Sequence, residues 1–210
     1  MKDLSDQYTV IIAKGEFPTH LSPLSCIQNA NNIICLDGAL KACVENNIIP
    51  NAIIGDGDSI STELKEQYAH LLHIYTDQET NDLTKAITFC TEKGIKNIKI
   101  VGATGKREDH TIGNIFLLLE YMLLANVEMI TDYGIFTPII STNEFVSFPG
   151  QQVSIFNIDN TSITSHNLKY PLKEYVLDNL WMGTLNESTS ENFTVETNGR
   201  TIVYRTHKGK

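Results

Sequence analysis

Five residues, Gly55-Asp56-Gly57-Asp58-Ser59, set two carboxylates two positions apart at the end of a short apolar run, Ile53-Ile54. Carboxylates that close repel unless a cation lies between them, and oxygen donors suit a hard cation, most simply Mg²⁺. Asp and Gly are also common turn formers, so this stretch alone equally describes an acidic strand-to-loop turn. Three further clusters share its context. Asp37-Gly38 follows one apolar run, Asp77-Gln78-Glu79-Thr80-Asn81-Asp82 follows another, and Gly102-Ala103-Thr104-Gly105-Lys106-Arg107-Glu108-Asp109-His110 follows a third. Any one of them could be a capped turn. If the runs are strands of one parallel sheet, all four loops emerge at its carboxyl edge, where open α/β sheets bind ligands.

The last cluster carries its own chemistry. Gly102-x-x-Gly105 ahead of a helix offers backbone N–H groups that favour phosphate. Lys106 and Arg107 add positive charge, and an arginine fork grips phosphate oxygens in pairs. The spacing is neither a phosphate loop of the G-x-x-x-x-G-K-[ST] kind nor a dinucleotide G-x-G-x-x-G. Asp56-x-Asp58 likewise lacks the glycine and final Glu of a calcium-binding loop. A cationic phosphate grip beside clustered carboxylates describes a metal–nucleotide site, where positioning and charge neutralisation do most of the catalysis. His110 is read as a helix-start contact to phosphate or to Asp109 rather than as a general base, because metal-assisted transfer asks for little base help. His20, His70, His73, His166 and His207 show no ligand spacing.

The elements that must position these loops follow from hydrophobic periodicity. Strands are expected at residues 8–13, 32–36, 52–54, 71–75, 97–101 and 127–131. Helices are expected at 39–46, 82–93 and 111–124, the last apolar enough to be buried. Alternation of this kind implies a parallel sheet with right-handed crossovers. After Asp132 the rhythm changes to short β-rich runs at 134–140, 144–148, 152–157, 161–165, 193–197 and 200–205, separated by turn residues. Asn198-Gly199 between the last two is a hairpin signal. The fold class is therefore α/β: an N-terminal parallel-sheet nucleotide-binding domain, residues 1–132, and a smaller C-terminal all-β sandwich, residues 133–210.

Composition narrows the function classes. The 210 residues are 41% hydrophobic and 20% charged, ordinary for a globular chain, with a formal net charge of −9. That charge argues against a nucleic-acid binder working by counterion release. No apolar run reaches membrane-spanning length. The four cysteines form no CxxC pair or zinc pattern, and residues 1–8 lack a signal-peptide core, so the expected setting is cytoplasmic with reduced thiols.

Taken together, the four loops resemble those of the thiamine pyrophosphokinases. That family's DGG-like turn, GDxDS motif, Q-x-T-x-D-x-x-K segment and G-x-x-G-x-R-x-D-H segment stand here as Asp37-Gly38-Ala39, Gly55 to Ser59, Gln78 to Lys85 and Gly102 to His110. The second half is similar as well, at Leu168-Lys169-Tyr170-Pro171-Leu172 and Gly183-Thr184-Leu185-Asn186-Glu187. The chain departs from the pattern at Ala39, where the turn has a second glycine, and at Leu185, where the family usually has serine.

The resemblance implies transfer of the pyrophosphoryl group of ATP to the hydroxyl of thiamine. It implies a homodimer, with the sandwich of one chain completing the thiamine pocket of the other. Mg²⁺ would be held by Asp56, Asp58 and Asp82. Lys85, Arg107 and Asp109 would complete the catalytic set. Asp37, Gly38, Gly102, Thr104, Gly105, Arg107 and His110 would face ATP, and Gln78, Asp82, Asn186 and Glu187 would face thiamine. Trp181, close to that last pair, either stacks on the thiamine cation or is a core aromatic of the sandwich. The alternatives are a pyrophosphokinase for a different alcohol and a nucleotide- or thiamine-binding protein without turnover.

Overall fold

Thr9–Ile12 (β1) is buried at every position, the pattern of a strand covered on both faces. The computed structural model describes residues 7–77 and 79–208, in two units, Met1–Asp132 and Tyr133–Lys210. In the first unit β1 is joined by Asn32–Leu36 (β2), Ala52–Gly55 (β3), Leu72–Ile74 (β4), Asn97–Val101 (β5) and Asn126–Ile130 (β6). Their order is β6-β5-β1-β2-β3-β4, and every neighbouring pair is parallel. The chain thus winds outward from β1 to β4, then returns to the other side of β1 for β5 and β6. The switch point of the sheet therefore lies between β1 and β5, the place where open α/β sheets bind ligands.

Five helices connect the strands: Leu21–Gln28 (α1), Leu40–Glu45 (α2), Thr62–Gln67 (α3), Asp82–Glu92 (α4) and Glu108–Tyr121 (α5). Sequence periodicity points to α2, α4 and α5 but not to α1 or α3. Pro23 disguises α1; it lies in the first turn, where a missing N–H is tolerated, and the His20 ring accepts the Ser22 N–H at 3.2 Å as a cap. α3 buries no residue at all, so it leaves no apolar stripe to read. α4 follows its amphipathic pattern: Leu83, Ala86, Ile87, Phe89 and Cys90 are buried, and Asn81 caps it by accepting the Thr84 N–H at 2.8 Å. α5 departs from expectation. Leu118, Leu119 and Tyr121 are buried, but Ile112 is 57% and Phe116 39% exposed. An apolar helix face need not be covered by its own unit.

The second unit has two antiparallel sheets. One has the order β12-β9-β14-β7 and the other β11-β10-β13-β8. Their strands are Gly134–Ile139 (β7), Asn143–Val146 (β8), Gln152–Asn157 (β9), Ser162–His166 (β10), Tyr175–Val176 (β11), Asn186–Glu187 (β12), Asn192–Thr197 (β13) and Thr201–Thr206 (β14). Alternate residues of both sheets, among them Phe145, Val153, Ile155, Ile163, Phe193, Val195 and Val203, form one buried core, so the sheets face each other as a sandwich.

One expectation fails here, and one of two open alternatives is decided. β13 and β14 are not a hairpin: β13 pairs with β8 and β10, β14 with β7 and β9. Neither Asn198 nor Gly199 takes the left-handed backbone a tight hairpin turn needs. Instead the chain changes sheets at this turn, and the Thr197 hydroxyl accepts the Gly199 N–H at 3.1 Å. Nor is Trp181 a core aromatic. It lies in a single 3-10 turn, Leu180–Gly183, and is 73% exposed.

Candidate active site

The crevice at the switch point holds a pocket of about 470 Å³. Its lining includes Lys14 and Gly15 after β1, Asp82 at the start of α4, and Thr104, Arg107 and His110 around the start of α5. Two left-handed glycines, Gly102 at φ 65° and Gly105 at φ 101°, shape the loop after β5. Asn114 of α5 donates to the Ala103 carbonyl at 2.8 Å and holds that loop against the helix.

Beside the pocket, the loops after β2 and β3 meet on a buried carboxylate. Asp37 accepts the Gly38 N–H at 2.5 Å and the Gly57 N–H at 3.0 Å. A Cβ on Gly55 would lie 2.4 Å from the Asp37 carboxyl carbon, so the glycine of the acidic motif is there to admit Asp37. Burial pushes this carboxyl above its ordinary range, and the neighbouring charges of Asp82 and Asp56 push the same way. Asp56 behaves oppositely. It accepts the Asp58 N–H at 3.0 Å, and chiefly for that reason its carboxyl is lowered. Asp58 is exposed. Among the described residues no three His, Cys, Asp or Glu side chains converge as a metal cage, so Asp56, Asp58 and Asp82 do not close around one point.

The expected cations are already partnered. Lys85, 6% exposed on its side chain, donates to Asp82 at 3.1 Å. Arg107 engages Asp109 with both arms of its fork, at 3.1 and 2.5 Å. That pairing, with the His110 N–H, holds the Asp109 carboxyl down at about 2. Gln78 lies outside the described residues.

In the second unit, Asn186 clasps a neighbouring segment. Its amide donates to the Tyr170 carbonyl at 2.7 Å and accepts the Tyr170 N–H at 3.1 Å. Glu187 meets Lys169 at 3.4 Å. Leu185 has φ 62° and is 76% exposed, a strained backbone for a branched side chain without a local packing reason. Asn186 and Glu187 thus sit in a tethered frame, with Leu185 and Trp181 presented outward near it in sequence.

Sequence reasoning missed the loop after β1. The Gly15 N–H donates to the Gly102 carbonyl at 2.6 Å, the Glu16 N–H to that of Thr104 at 2.8 Å, and Lys106 to that of Lys14 at 3.0 Å. At the far end of the loop, Asp132 accepts the Thr19 and His20 N–H groups at 3.0 and 3.1 Å. The only signal available was a Lys-Gly pair directly after an apolar strand, which is no motif.

Comparison with known proteins agrees with this layout. Residues 24–131 match the family profile "Thiamin pyrophosphokinase, catalytic domain", and residues 134–204 match "Thiamin pyrophosphokinase, substrate-binding domain". The chain is 30% identical over 159 residues to thiamine pyrophosphokinase 1 of Oryza sativa subsp. japonica, covering 64% of this chain and 60% of that protein. It is 37% identical over 91 residues to thiamine pyrophosphokinase of Bacillus subtilis, covering 41% of this chain and 42% of that one. These alignments therefore span 60% or less of the curated relatives' own length. The solved thiamine pyrophosphokinase of Bacillus subtilis superposes with a TM-score of 0.80 at 24% identity, over 96% of this chain and all of that one. That of Candida albicans gives 0.80 at 18% identity, over 96% and 89%; at these identities the likeness speaks for the fold. With both units matched in chain order by its two domain profiles, this protein belongs to the thiamin pyrophosphokinase family.

Proposed function

We propose that this protein transfers the pyrophosphoryl group of ATP to the hydroxyl of thiamine, giving thiamine diphosphate and AMP. The observation that carries the reading is the match of both units, in order, to the catalytic and substrate-binding profiles of one enzyme family. The first unit is read as the nucleotide-binding domain, supported by a switch-point crevice next to a glycine-bent loop that opens a helix. The second is read as the thiamine-binding domain.

Asp56 and Asp58 are the residues read as holding Mg²⁺, with Asp82 close by and oriented by Lys85. Two carboxylates without a closed cage fit that ion, which is usually held by one or two carboxylates together with substrate phosphates and water. When bound, it neutralises phosphate oxygens of the group in transfer. The loop from Gly102 to Gly105, with Thr104, offers N–H groups to the phosphates, Asp37 and Gly38 frame the nucleotide side, and Lys106 and Arg107 supply positive charge. Asp109 orients the Arg107 fork, and His110 stands at the pocket wall. In the transfer itself the thiamine hydroxyl gives up its proton to solvent as its oxygen bonds to the β-phosphorus. The bond from the β-phosphorus to the oxygen bridging it to the α-phosphorus breaks, and AMP departs with that oxygen.

An assay for AMP release with ATP, Mg²⁺ and a panel of alcohols tests this. Thiamine is expected to be the preferred acceptor. Preference for another alcohol, which Leu185 in place of the usual serine could favour, would replace thiamine in the reading. A thiamine-induced rise in melting temperature without AMP would mark a binding protein instead.

Two variants divide the thiamine end. Asn186→Ala leaves the Tyr170 backbone groups without partners and is expected to cost roughly 1–3 kcal/mol of stability. Trp181→Ala is expected to leave the melting temperature almost unchanged, since exposed substitutions fall within about 0.5 kcal/mol, yet to raise the thiamine KM severalfold by removing an aromatic face for the thiazolium cation. A folded Trp181→Ala protein with the wild-type thiamine KM would remove that residue from the site.

The protein is also read as a homodimer. The apolar face of α5 with Ile112 and Phe116, and in the other unit Leu180, Trp181 and Leu185, are exposed in the single chain, as surfaces awaiting a partner would be. Sedimentation should give twice the chain mass, and a fully active monomer would defeat the assignment. A reducing, cytoplasmic setting fits Cys26, Cys35, Cys43 and Cys90, all buried free thiols. Among the described residues no helix is long and apolar enough to cross a membrane.

A further inference from the structure

We infer that Lys14 is a further nucleotide-positioning residue of this site, its ammonium taking a phosphate oxygen of the bound nucleotide while its backbone fixes the loop that cradles the same phosphates. The inference rests on the ATP-dependent reading above and adds a residue to it.

Three contacts place Lys14 at the meeting point of the loops. Its carbonyl accepts from Lys106 at 3.0 Å, which ties it to the loop after β5. Its methylene stem lies flat over the turn after β2, since a Cβ on Gly38 would come within 2.2 Å of the Lys14 Cδ. Its ammonium donates to the Ser59 hydroxyl at 2.8 Å, at the end of the acidic motif after β3. It also lines the pocket. The sheet order explains this convergence: β1 stands between β5 and β2, so its loop is flanked by theirs.

The charges decide the role. Lys85 is held by Asp82 and Arg107 by Asp109, so each of those cations already has a carboxylate partner where it stands. The ammonium groups of Lys14 and Lys106 meet neutral oxygens instead, a hydroxyl and a carbonyl. A polyphosphate entering the pocket finds in these two lysines positive charge that no carboxylate among the described residues pairs with. Exchanging the neutral hydroxyl for an anionic phosphate oxygen adds ion-pair attraction to the hydrogen bond that the ammonium already makes.

Lys14→Met keeps the stem over Gly38 and removes the charge; Lys14→Arg keeps the charge. Wild type and both variants are titrated calorimetrically with ATP, once with Mg²⁺ and once with EDTA, and assayed for AMP release with ATP and thiamine. Lys14→Met is expected to weaken ATP binding and raise the ATP KM by roughly tenfold or more. Its thiamine KM should stay within about twofold and its melting temperature within a few degrees, and Lys14→Arg should recover most of the loss. Wild-type ATP affinity in Lys14→Met overturns the proposal. So does a fall in kcat with ATP binding and KM unchanged, because Lys14 would then act only through the Ser59 loop. An equal loss in Lys14→Arg, or a loss that tracks a falling melting temperature in both variants, would make the residue structural and also overturn it. If wild type binds ATP but releases no AMP, the transfer reading fails while the two titrations still decide Lys14. If wild type binds no ATP, both readings fall.

Discussion

Asp56→Asn and Asp58→Asn each keep the fold and lose roughly 10²–10³ in kcat, the scale expected when a group that stabilises transition-state charge is removed. Asp58 is exposed and Asp56 half-buried. Neither has an ion-pair partner among the described residues, so their charge is available to a cation. Melting temperature separates them from their neighbour. Asp56 receives the Asp58 N–H, and its lowered carboxyl shows that the fold prefers it ionised; neutralising it should bring no gain in stability. The strain in this cluster rests on Asp37, whose carboxyl is raised by burial and by Asp82. A carboxyl raised in the folded state destabilises it once pH exceeds the unfolded value, and the penalty is absent below that value. Any stabilisation by neutralisation should therefore appear in Asp37→Asn. Near wild-type turnover with Mg²⁺ in both Asp56→Asn and Asp58→Asn would remove these two residues from the proposed metal site.

Gly15→Ala is expected to have the largest effect on the fold of any single methyl group in the first unit. The added Cβ would lie 2.3 Å from the Gly102 carbonyl oxygen and 2.4 Å from that of Thr104. These are backbone atoms of the loop after β5 and cannot rotate aside as a side chain can. Overpacking of this kind costs about 1–3 kcal/mol or more, and the movement that relieves it opens the hydrogen bonds joining Gly15 and Glu16 to Gly102 and Thr104. A lowered melting temperature together with a raised ATP KM is the expected result. Gly94→Ala is the control: its added Cβ meets nothing within 4 Å, though its φ of 77° carries a conformational cost. If Gly15→Ala melts and binds ATP as wild type does, the loop after β1 does not support the loop after β5.

Legibility in the sequence followed burial. β2 and β5 are found at their expected limits, Asn32–Leu36 and Asn97–Val101, because their buried residues, Ile34 to Leu36 in one and Ile98, Ile100 and Val101 in the other, are β-rich apolar positions bounded by turn residues. α3 could not be read because it buries nothing. α5 was read as a helix but not as one with an exposed apolar face, since periodicity reports that a face is apolar and not what covers it. The hairpin expected at Asn198-Gly199 failed for a related reason. A turn signal marks a change of direction, whereas β13 and β14 are claimed by different sheets. In the site, clustered carboxylates and glycines announced themselves through spacing, while Lys14 and Gly15 acquire meaning only because β1 lies between β5 and β2. That neighbourhood is set by topology, which a local pattern does not encode.

The central place of β1 also bears on how the protein is made. β1 pairs with β2 and, from far along the chain, with β5; its loop is then pinned by Asp132, 113 residues after Thr19. During synthesis a chain that has emerged only as far as Gly94 presents β1 with one edge open, and unpaired edges recruit other strands. Closure at such sequence separation is slow because the intervening chain must be ordered first. The first unit is therefore expected to fold late and in one step, after residue 132 has cleared the ribosome. Until then the N-terminal third is the segment most in need of a chaperone.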